Sequence, residues 1–565
     1  MRSKIYASLL AATLALTAAF SFPVSANDVG DTFKAEIKTH ETVFDGKSDQ
    51  YAGKTVILHT NDVHGEISGY AYVKALETDF VAAGAEVITV DAGDFSQGSA
   101  NVSLSKGKNA VKLMNAAGYD YVAIGNHEFD YGYKQLKKNM KSAEFKVLCA
   151  DVEKDGQPIF DGNAIYTTKS GVKIGLFGME TPETAKKAKP SYIKGLTFLN
   201  NTGKNTDLYD CGKKQVKALE KKNADVIIGI THLGMDKESA ADGHRSLDLY
   251  KKVSGIDFMI DGHSHDVMTE GPSGEPIQST GTKFESIGVV VIDNSAKKIS
   301  DHYLVNTEGL AKDATVAKKA QKMIDKIDAE YGVTIGKSHV RFASEKTENR
   351  CYETNTGDLI TDAMVWEILK DESQLQVSSD KVVAIVNGGG IRAGLNVGKV
   401  TKKDIQAILP FGNTLGVAYV KGSVLLEVLE ASTFETPNPV GGYPQTKGIE
   451  FTIDTTKSYK QGKAYPGTTY YAPKKINRVT IKSINGKPFK KNATYALVTS
   501  DFVLDGGDTY YRVKNAKSKF DTGISIDEVV SNYISDDLNG VLTKKKYGQS
   551  RGDVTIKTSS SSKKK

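Results

Sequence analysis

The chain has 565 residues, of which 39% are hydrophobic and 25% are charged. This length exceeds what one hydrophobic core usually serves and favours two large domains, and the composition excludes a mostly disordered chain and one embedded in a membrane. The formal net charge of +6 is too mild to indicate a nucleic-acid partner, although it is compatible with weak association with an anionic cell envelope.

The chain begins with the pattern of a secretory signal peptide over residues 1–26. Arg2 and Lys4 precede an apolar run over residues 5–20, and small residues follow up to Ala26. The run is shorter than the ~20 residues that a membrane-spanning helix needs, so we expect cleavage and no transmembrane anchor. The sequence therefore predicts a secreted protein that is extracellular, periplasmic or associated with the cell envelope.

The rest of the chain predicts two α/β domains. After a polar extension over residues 27–54, short β-branched apolar runs alternate with longer amphipathic stretches over residues 55–310. Charged residues at helical spacing over residues 311–337 predict a helical linker, or equally the last helix of the first domain. Apolar runs return over residues 338–557, before a Ser/Lys tail over residues 558–565.

Cysteine is too rare for a disulfide scaffold. The chain contains only Cys149, Cys211 and Cys351, so stability must come from packed cores. Cys149 lies in an apolar run and is expected to be buried, while any pairing among the three stays open.

Five polar clusters stand directly after apolar runs of the first domain, where ligand sites of open α/β sheets assemble. Their candidate metal ligands are Asp62, His64, Asp94, Asn126, His232, His263 and His265. Mixed imidazole and carboxylate groups suit Mn²⁺, Zn²⁺, Co²⁺ or Mg²⁺. Each cluster alone is also typical of a turn, but the seven together exceed the need of one ion, and two ions that share Asp94 would use them all.

In this order and context the clusters resemble the calcineurin-like metallophosphoesterases, and specifically the 5′-nucleotidase family. The resemblance spans nearly the whole mature chain and implies a four-layer α/β/β/α catalytic sandwich followed by a second α/β domain that binds substrate. It implies two divalent metal ions, one held by Asp62, His64, Asp94 and His265 and the other by Asp94, Asn126, His232 and His263.

The resemblance also implies a mechanism. Two cations lower the pKa of a bridging water and neutralise phosphate oxygens while the resulting hydroxide attacks phosphorus in line. His127 would stabilise the transition state or protonate the leaving alkoxide, and Asp130 would orient the ring of His127. The same two residues are also compatible with a cap at the start of a helix.

Two segments of the second domain carry residue types of a nucleotide site. A Gly-rich turn runs from Asn387 to Arg392, where glycine allows close approach and a guanidinium can bind phosphate. Phe411 and Phe502 are suited to stack on both faces of a nucleobase, and Asp508 is suited to accept the hydroxyls of a ribose. By themselves such patterns are more often an ordinary turn and core phenylalanines.

The family resemblance assigns roles to these residues. It implies that Phe411 and Phe502 stack the base and Asp508 binds the ribose. It also implies that Asn387 and Arg392 contact base or phosphate, that Asn413 adds a weaker base contact, and that Arg350 matches a further family arginine. The sequence is thus interpreted as a secreted 5′-nucleotidase whose domains rotate to close on a nucleotide. A UDP-sugar hydrolase and a 2′,3′-cyclic nucleotide 2′-phosphodiesterase/3′-nucleotidase share the metal motifs and stay open, whereas a binding protein on an inactive scaffold would lack ligands.

Overall fold

The fold is described from a computed structural model. It covers residues 33–558, except residues 190, 202–204, 237–238, 241–242, 467 and 469. The predicted signal peptide and residues 559–565 of the tail lie outside the described residues. Within the described part of the chain, no helix is both long and apolar enough to span a bilayer.

The described residues of the first domain form two large stacked sheets and one small one. In chain order the strands are β1 (Ile37–Lys38), β2 (Lys54–Thr60), β3 (Glu86–Asp91), β4 (Tyr121–Ala123), β5 (Lys146–Leu148), β6 (Val152–Lys154), β7 (Gln157–Pro158), β8 (Asn163–Thr167), β9 (Lys173–Glu180), β10 (Leu196–Phe198), β11 (Val226–His232), β12 (Phe258–Ile260), β13 (Val267–Met268), β14 (Ile277–Thr280), β15 (Ser286–Asp293) and β16 (Lys298–Asn306). The strand orders are β1-β16-β15-β2-β3-β4-β5, β13-β14-β12-β11-β9-β8 and β10-β6-β7.

Helices cover the outer faces of the two large sheets. They are α1 (His40–Val43), α2 (Tyr70–Ala82), α3 (Ala100–Ser103), α4 (Lys108–Ala117), α5 (Tyr133–Met140), α6 (Thr184–Lys187), α7 (Asp207–Lys221), α8 (Ser246–Lys252) and α9 (Ala314–Tyr331). Along β2, Val56 and Leu58 pack towards helices while Ile57 packs between the sheets, as side chains alternate along a strand. Burial on both faces explains why β2 reads as a continuous apolar run, and it gives the predicted α/β/β/α sandwich.

The two segments that flank this domain also pack against it. Within the predicted extension, Ile37 of β1 pairs in parallel with Leu304 of β16, so this segment adds an edge strand to the sheet. Helix α9 contributes Val316 and Ala320 to the first-domain core. Towards its end, Asp328 Oδ1 lies 2.6 Å from the Nζ of Lys403 in the second domain. The predicted linker is therefore a packed helix that also reaches the second domain.

The second domain is built around a five-stranded sheet of order β21-β18-β27-β20-β28, as far as the described residues show. Its strands are β17 (Thr334–Ser338), β18 (Val382–Asn387), β19 (Gly398–Thr401), β20 (Thr414–Lys421), β21 (Pro444–Lys447), β22 (Ile449–Asp454), β23 (Gln461–Ala464), β24 (Tyr471–Pro473), β25 (Val479–Ile484), β26 (Lys487–Pro488), β27 (Thr494–Ser500), β28 (Lys519–Ser525), β29 (Val541–Leu542) and β30 (Val554–Lys557). The first of these begins four residues before the predicted boundary at residue 338.

Apolar cores lie on both faces of this sheet. The helices are α10 (Lys346–Asn349), α11 (Asn355–Leu369), α12 (Lys402–Ile408), α13 (Gly422–Ser432), α14 (Asp501–Leu504), α15 (Tyr511–Lys514), α16 (Ile526–Asn532) and α17 (Lys544–Tyr547). Ala384 of β18 faces the core beneath α11 and α16, and Val383 and Ile385 face the core shared with α13 and the β22–β25 pair. The three cysteines are buried, as expected for Cys149.

Candidate active site

The seven predicted metal ligands lie together at one edge of the stacked sheets. Strands β2, β3 and β4 run parallel, as do β11 and β12, so their carboxyl ends meet at the same edge. Asp62 and Asp94 follow β2 and β3, Asn126 follows β4, His232 ends β11, and His263 follows β12.

One group of ligand atoms is formed by Asp62, His64 and His265. The Nε2 atoms of His64 and His265 are 2.9 Å apart, and Asp62 Oδ1 lies 3.8 Å from the first and 3.4 Å from the second. Asp94 Oδ2 lies 3.9 Å from His64 Nε2. At this distance the two nitrogens either share a proton in a hydrogen bond or direct both lone pairs at one cation, so the arrangement is compatible with a shared metal ion.

A second group is formed by Asp94, Asn126, His232 and His263. His232 Nε2 is 3.1 Å from Asp94 Oδ2, and His263 Nδ1 is 2.8 Å from Asn126 Oδ1. One nitrogen or oxygen of each of Asp94, His232 and His263 lies within 4.8 Å of the others. Because Asp94 borders both groups, its carboxylate is placed to bridge two ions.

Two buried atoms of these groups fit a metal. Asp62 Oδ1 and His232 Nε2 make no well-aligned hydrogen bond within the described residues, although both side chains are fully buried and His232 Nε2 lies 3.1 Å from Asp94 Oδ2. An unpaired buried polar atom costs about 1–3 kcal/mol, which a coordinated cation removes. The other nitrogen of His232, Nδ1, is bonded to the Ala92 carbonyl at 2.6 Å, which leaves Nε2 for the ion.

The backbone at the site is strained. Asp62, His64, Asp94, His263 and His265 have φ angles of 51°, 41°, 64°, 81° and 61°. For a residue with a side chain, the left-handed region costs of the order of 1–3 kcal/mol, and such positions cluster where surroundings hold a functional geometry. Five of the seven candidate ligands therefore lie at strained positions in the loops that present them.

Two buried carboxylates to which the sequence pattern gave no role hold these loops. Glu128 accepts hydrogen bonds from the backbone nitrogens of Asp94 (2.8 Å), Phe95 (3.0 Å), Ser96 (2.9 Å) and Gly125 (2.7 Å). Asp261 accepts one from the nitrogen of Leu233 at 3.0 Å and one from the Thr231 hydroxyl at 2.9 Å. Both residues lie inside the polar clusters that follow the apolar runs. An acidic residue within such a cluster was the sequence signal that could have identified them.

His127 and Asp130 form a pair at the edge of the metal groups. His127 Nδ1 is 2.6 Å from Asp130 Oδ2, and Nε2 is 4.0 Å from Asp94 Oδ2. Burial alone lowers the pKa of His127, but the charges of Asp130 and Asp94 outweigh burial and raise it. Glu128, rather than Asp130, caps the 3₁₀ helix Asn126–Phe129, so helix capping does not account for the His127–Asp130 pair.

A cavity of about 870 Å³ joins the metal groups to the second domain. Its walls include every second-domain residue singled out from the sequence: Arg350, Asn387, Arg392, Phe411, Asn413, Phe502 and Asp508. The same cavity is lined by Asp94, Asn126, His127, Asp130, His263 and His265 of the first domain. Asp62, His64 and His232 are within contact distance of these first-domain ligands and are themselves buried.

The second-domain wall presents aromatic, cationic and carboxylate groups. The Phe411 ring lies 6.1 Å from the His127 ring at an interplanar angle of 28°, with the Arg392 guanidinium 5.7 Å from the Phe411 centroid. Burial lowers the pKa of Arg392 to about 10, so this group stays cationic at neutral pH. Asn387 donates to Asp508 Oδ2 at 2.9 Å and so positions that carboxylate. Phe502 belongs to a core and lines the cavity as well.

Contacts between the domains complete the cavity. Arg392 Nη2 is 3.4 Å from His127 Nε2, and the Nζ of Lys189 is 2.5 Å from Asp501 Oδ2. Lys189 and Lys346 both line the cavity, yet neither lies in a motif that sequence reasoning recognised. A lysine outside a motif carries no local signal, which explains the omission.

Comparison with known proteins agrees with this architecture. The family model for calcineurin-like phosphoesterase matches residues 55–267, and that for the 5′-nucleotidase C-terminal domain matches residues 334–515. The chain is 26% identical over 538 residues to a 5′-nucleotidase of Vibrio cholerae, and the alignment covers 85% of this chain and 90% of that protein.

Two further proteins show how far the similarity extends. The trifunctional nucleotide phosphoesterase protein YfkN of Bacillus subtilis is 27% identical over 522 residues, and the match covers 83% of this chain but only 33% of YfkN. The crystal structure of a 5′-nucleotidase precursor from Thermus thermophilus shares the fold, with a TM-score of 0.71 and 24% identity over 89% of this chain and 99% of that one. The chain therefore belongs to the 5′-nucleotidase family, in which a calcineurin-like phosphoesterase domain precedes a 5′-nucleotidase C-terminal domain, and it is a metal-dependent phosphoric ester hydrolase.

Proposed function

We propose that this chain is a 5′-nucleotidase that hydrolyses nucleoside 5′-monophosphates to nucleoside and phosphate. The observation that carries the proposal is the single cavity lined by candidate metal ligands on one side and by two phenylalanines, two arginines and a carboxylate on the other. Such a cavity has room and chemistry for a phosphate at one end and a planar base with its ribose at the other.

The metal ions are assigned to the two ligand groups. Asp62, His64, Asp94 and His265 would hold one divalent ion, and Asp94, Asn126, His232 and His263 the other. When bound, the two ions supply positive charge to the phosphate and an activated water. The preference for imidazole and carboxylate favours Mn²⁺, Zn²⁺, Co²⁺ or Mg²⁺.

The residues of the chain would hold the substrate ester and donate a proton to its leaving group. Phe411 and Phe502 would hold the base, while Asp508, fixed by Asn387, would accept the ribose hydroxyls. Arg350 and Arg392 would bind phosphate, and Asn413 would add a base contact. Protonated His127, oriented through Nδ1 by Asp130, would donate its Nε2 proton to the leaving ribose oxygen.

Phosphate release from a substrate panel tests this proposal. Nucleoside 5′-monophosphates are incubated with enzyme that has been stripped of metal and then supplied with Mn²⁺, Co²⁺, Zn²⁺ or Mg²⁺, and with chelator as the control. We expect turnover that disappears on metal removal and returns with at least one ion. Full turnover in chelator would contradict the metal assignment, and no turnover of any 5′-monophosphate would contradict the substrate assignment.

Sugar nucleotides and cyclic nucleotides are the second candidate substrates. The observation in their favour is that the same cavity is also lined by Phe434, Tyr470 and Tyr471, so its walls include more residues than those assigned to base, ribose and phosphate. UDP-sugars, nucleoside di- and triphosphates and 2′,3′-cyclic nucleotides therefore belong in the same panel. The highest kcat/KM identifies the preferred class.

Export is part of the proposal. The basic residues, apolar run and small residues of the first 26 positions support removal of a signal peptide and release from the cytoplasm. Mass spectrometry of the mature protein after expression in a secreting host is expected to give an amino terminus near Asn27. An intact start in the cell pellet would contradict export.

A further inference from the structure

A buried carboxylate contacts the back of one candidate metal ligand. Glu183, in the segment that follows β9, has a side chain only 1% exposed, and its Oε2 lies 3.2 Å from Nε2 of His263. The opposite ring nitrogen of His263, Nδ1, is 2.8 Å from Asn126 Oδ1. The ring thus has one nitrogen facing the candidate metal group and the other facing a negative charge.

The Glu183 carboxylate is itself held in place. Ser239, which is fully buried, donates its hydroxyl to the second oxygen, Oε1, at 2.6 Å. The neighbouring ligand His232 differs, because its outer nitrogen is bonded to the neutral carbonyl of Ala92. A carboxylate behind an imidazole fixes its tautomer and strengthens it as an electron donor, more than a carbonyl does.

We propose that Glu183 is a positioning residue for the metal group of Asp94, Asn126, His232 and His263. It accepts a hydrogen bond from Nε2–H of His263, which keeps the Nδ1 lone pair directed at the ion and raises the affinity of that group for a divalent cation. The proposal rests on the metal assignment of the proposed function, and it predicts that one ion depends on Glu183 more than the other.

Metal titration of purified full-length enzyme tests the effect. Mn²⁺ is titrated into stripped protein in competition with a chelator, and the number and affinity of bound ions are compared among variants. We expect Glu183→Gln, which keeps an acceptor but loses the charge, to weaken one of two ions roughly 10- to 100-fold. Glu183→Ala loses charge and acceptor and is expected to weaken the same ion further.

A matched control separates metal tuning from general destabilisation. Glu430 is a fully buried glutamate of the second domain that accepts backbone hydrogen bonds from Arg478 and Val479. Glu430→Gln also removes a buried charge, so it is expected to lower thermal stability while both ions bind as in the wild type. Equal weakening of both ions in the Glu183 variants, or none, would overturn the proposal.

The tautomer of His263 gives a second readout that needs neither metal nor turnover. In ¹⁵N-histidine-labelled protein without metal, with the His263 signals assigned from a His263→Gln variant, we expect a proton on Nε2, because the charged Glu183 is a stronger acceptor than Asn126 Oδ1 at Nδ1. Glu183→Ala leaves Asn126 Oδ1 as the acceptor for the ring and is expected to move the proton to Nδ1, and an unchanged ring would overturn the proposal. Two ions in the wild type with no effect of Glu183→Gln would reject only the role of Glu183, whereas no bound ion in the wild type would reject the metal assignment as well.

Discussion

The chemistry available to His127 is set by its neighbours at the two ring nitrogens. Asp130 binds Nδ1, and Nε2 faces the cavity 3.4 Å from Arg392 Nη2. Because the guanidinium only donates, Nε2 accepts from Arg392 in this arrangement, and a proton on Nε2 is free to pass to the leaving oxygen of a bound ester once Arg392 turns to the phosphate. We expect His127→Ala to lower kcat for a nucleoside 5′-monophosphate by roughly 10²-fold or more, measured by phosphate release. The metal content of the variant is expected to match the wild type.

A substrate with a better leaving group provides the control for the general-acid role of His127. An aryl phosphate whose phenolate departs without a proton needs no general acid, so its kcat is expected to fall much less in His127→Ala. An equal fall for alkyl and aryl esters would show that His127 acts on the phosphate rather than on the leaving oxygen.

Phe411 allows a test of base stacking because it lies on the cavity wall rather than within a core cluster. We expect Phe411→Ala to raise KM for nucleoside monophosphates by roughly 5- to 150-fold, since one base–aromatic stack contributes about 1–3 kcal/mol. The KM for a phosphate ester without a base is the internal control and is expected to stay nearly constant. A parallel rise for both substrates would assign Phe411 to the shape of the cavity instead.

Residue types in local motifs were predictable, whereas partners distant in sequence were not. The pairs Asp62–His64 and His263–His265 stand out because similar polar clusters follow several apolar runs of the first domain, although each cluster alone is typical of a turn. Glu183 does not, because its contact with His263 spans 80 residues and no local pattern encodes it. The hydrogen bond from Asn387 to Asp508 spans 121 residues and was equally invisible.

At the scale of elements, the ligand-bearing loops after β3 and β4 are held in place because they pack closely against each other. Gly93, with a φ of 97°, lies against Gly125, where a Cβ atom on Gly93 would be 2.5 Å from the Gly125 nitrogen. Glu128 then joins the same two loops by accepting four backbone hydrogen bonds. The loops after β3 and β4 therefore form one unit.

Because Glu128 holds these two loops together, we expect Glu128→Gln to loosen both of them. A glutamine can accept at only one of its two terminal atoms, so buried backbone donors lose their partner at about 1–3 kcal/mol each. We expect a lower melting temperature, measured by differential scanning calorimetry, together with weaker binding of both metal ions. An exposed control such as Glu308→Gln is expected to change neither. A normal melting temperature in Glu128→Gln would mean that the loops hold their geometry without this carboxylate.

Strands were predictable where burial on both faces makes a continuous apolar run. The runs at residues 55–58, 226–230 and 382–386 correspond to β2, β11 and β18. Sheet order was not predictable, because β15 inserts between β2 and β16 and pairs antiparallel with both. The parallel pairing of β1 with β16 joins segments more than 260 residues apart, and polar edge strands carry little pattern of their own.

At the scale of the whole molecule, the site exists only where the two domains meet. The catalytic wall comes from sheet edges of the first domain, and the aromatic and cationic wall comes from the second. On the hypothesis that the domains rotate to admit a nucleotide, the interdomain contacts of His127 with Arg392 and of Lys189 with Asp501 would belong to the closed arrangement, and opening would break them.

The ion pair between Lys189 and Asp501 gives the most direct test of closure. Its side chains are only 17% and 10% exposed, so the pair is poorly screened and its loss leaves a buried charge without its partner. We expect Lys189→Met to raise KM for a nucleotide and to enlarge the radius of gyration measured by X-ray scattering with metal and a nucleotide analogue.

A double-mutant cycle decides whether the ion pair itself is responsible. Asp501→Asn keeps an acceptor for the Phe502 backbone nitrogen, which Asp501 Oδ1 now binds at 2.8 Å, but removes the charge that Lys189 faces. If the pair stabilises closure, the effects of Lys189→Met and Asp501→Asn on KM are less than additive, with a coupling of about 0.5–3 kcal/mol. Strict additivity would mean that the two residues act separately, and closure would then depend on the contacts that the substrate makes with both walls.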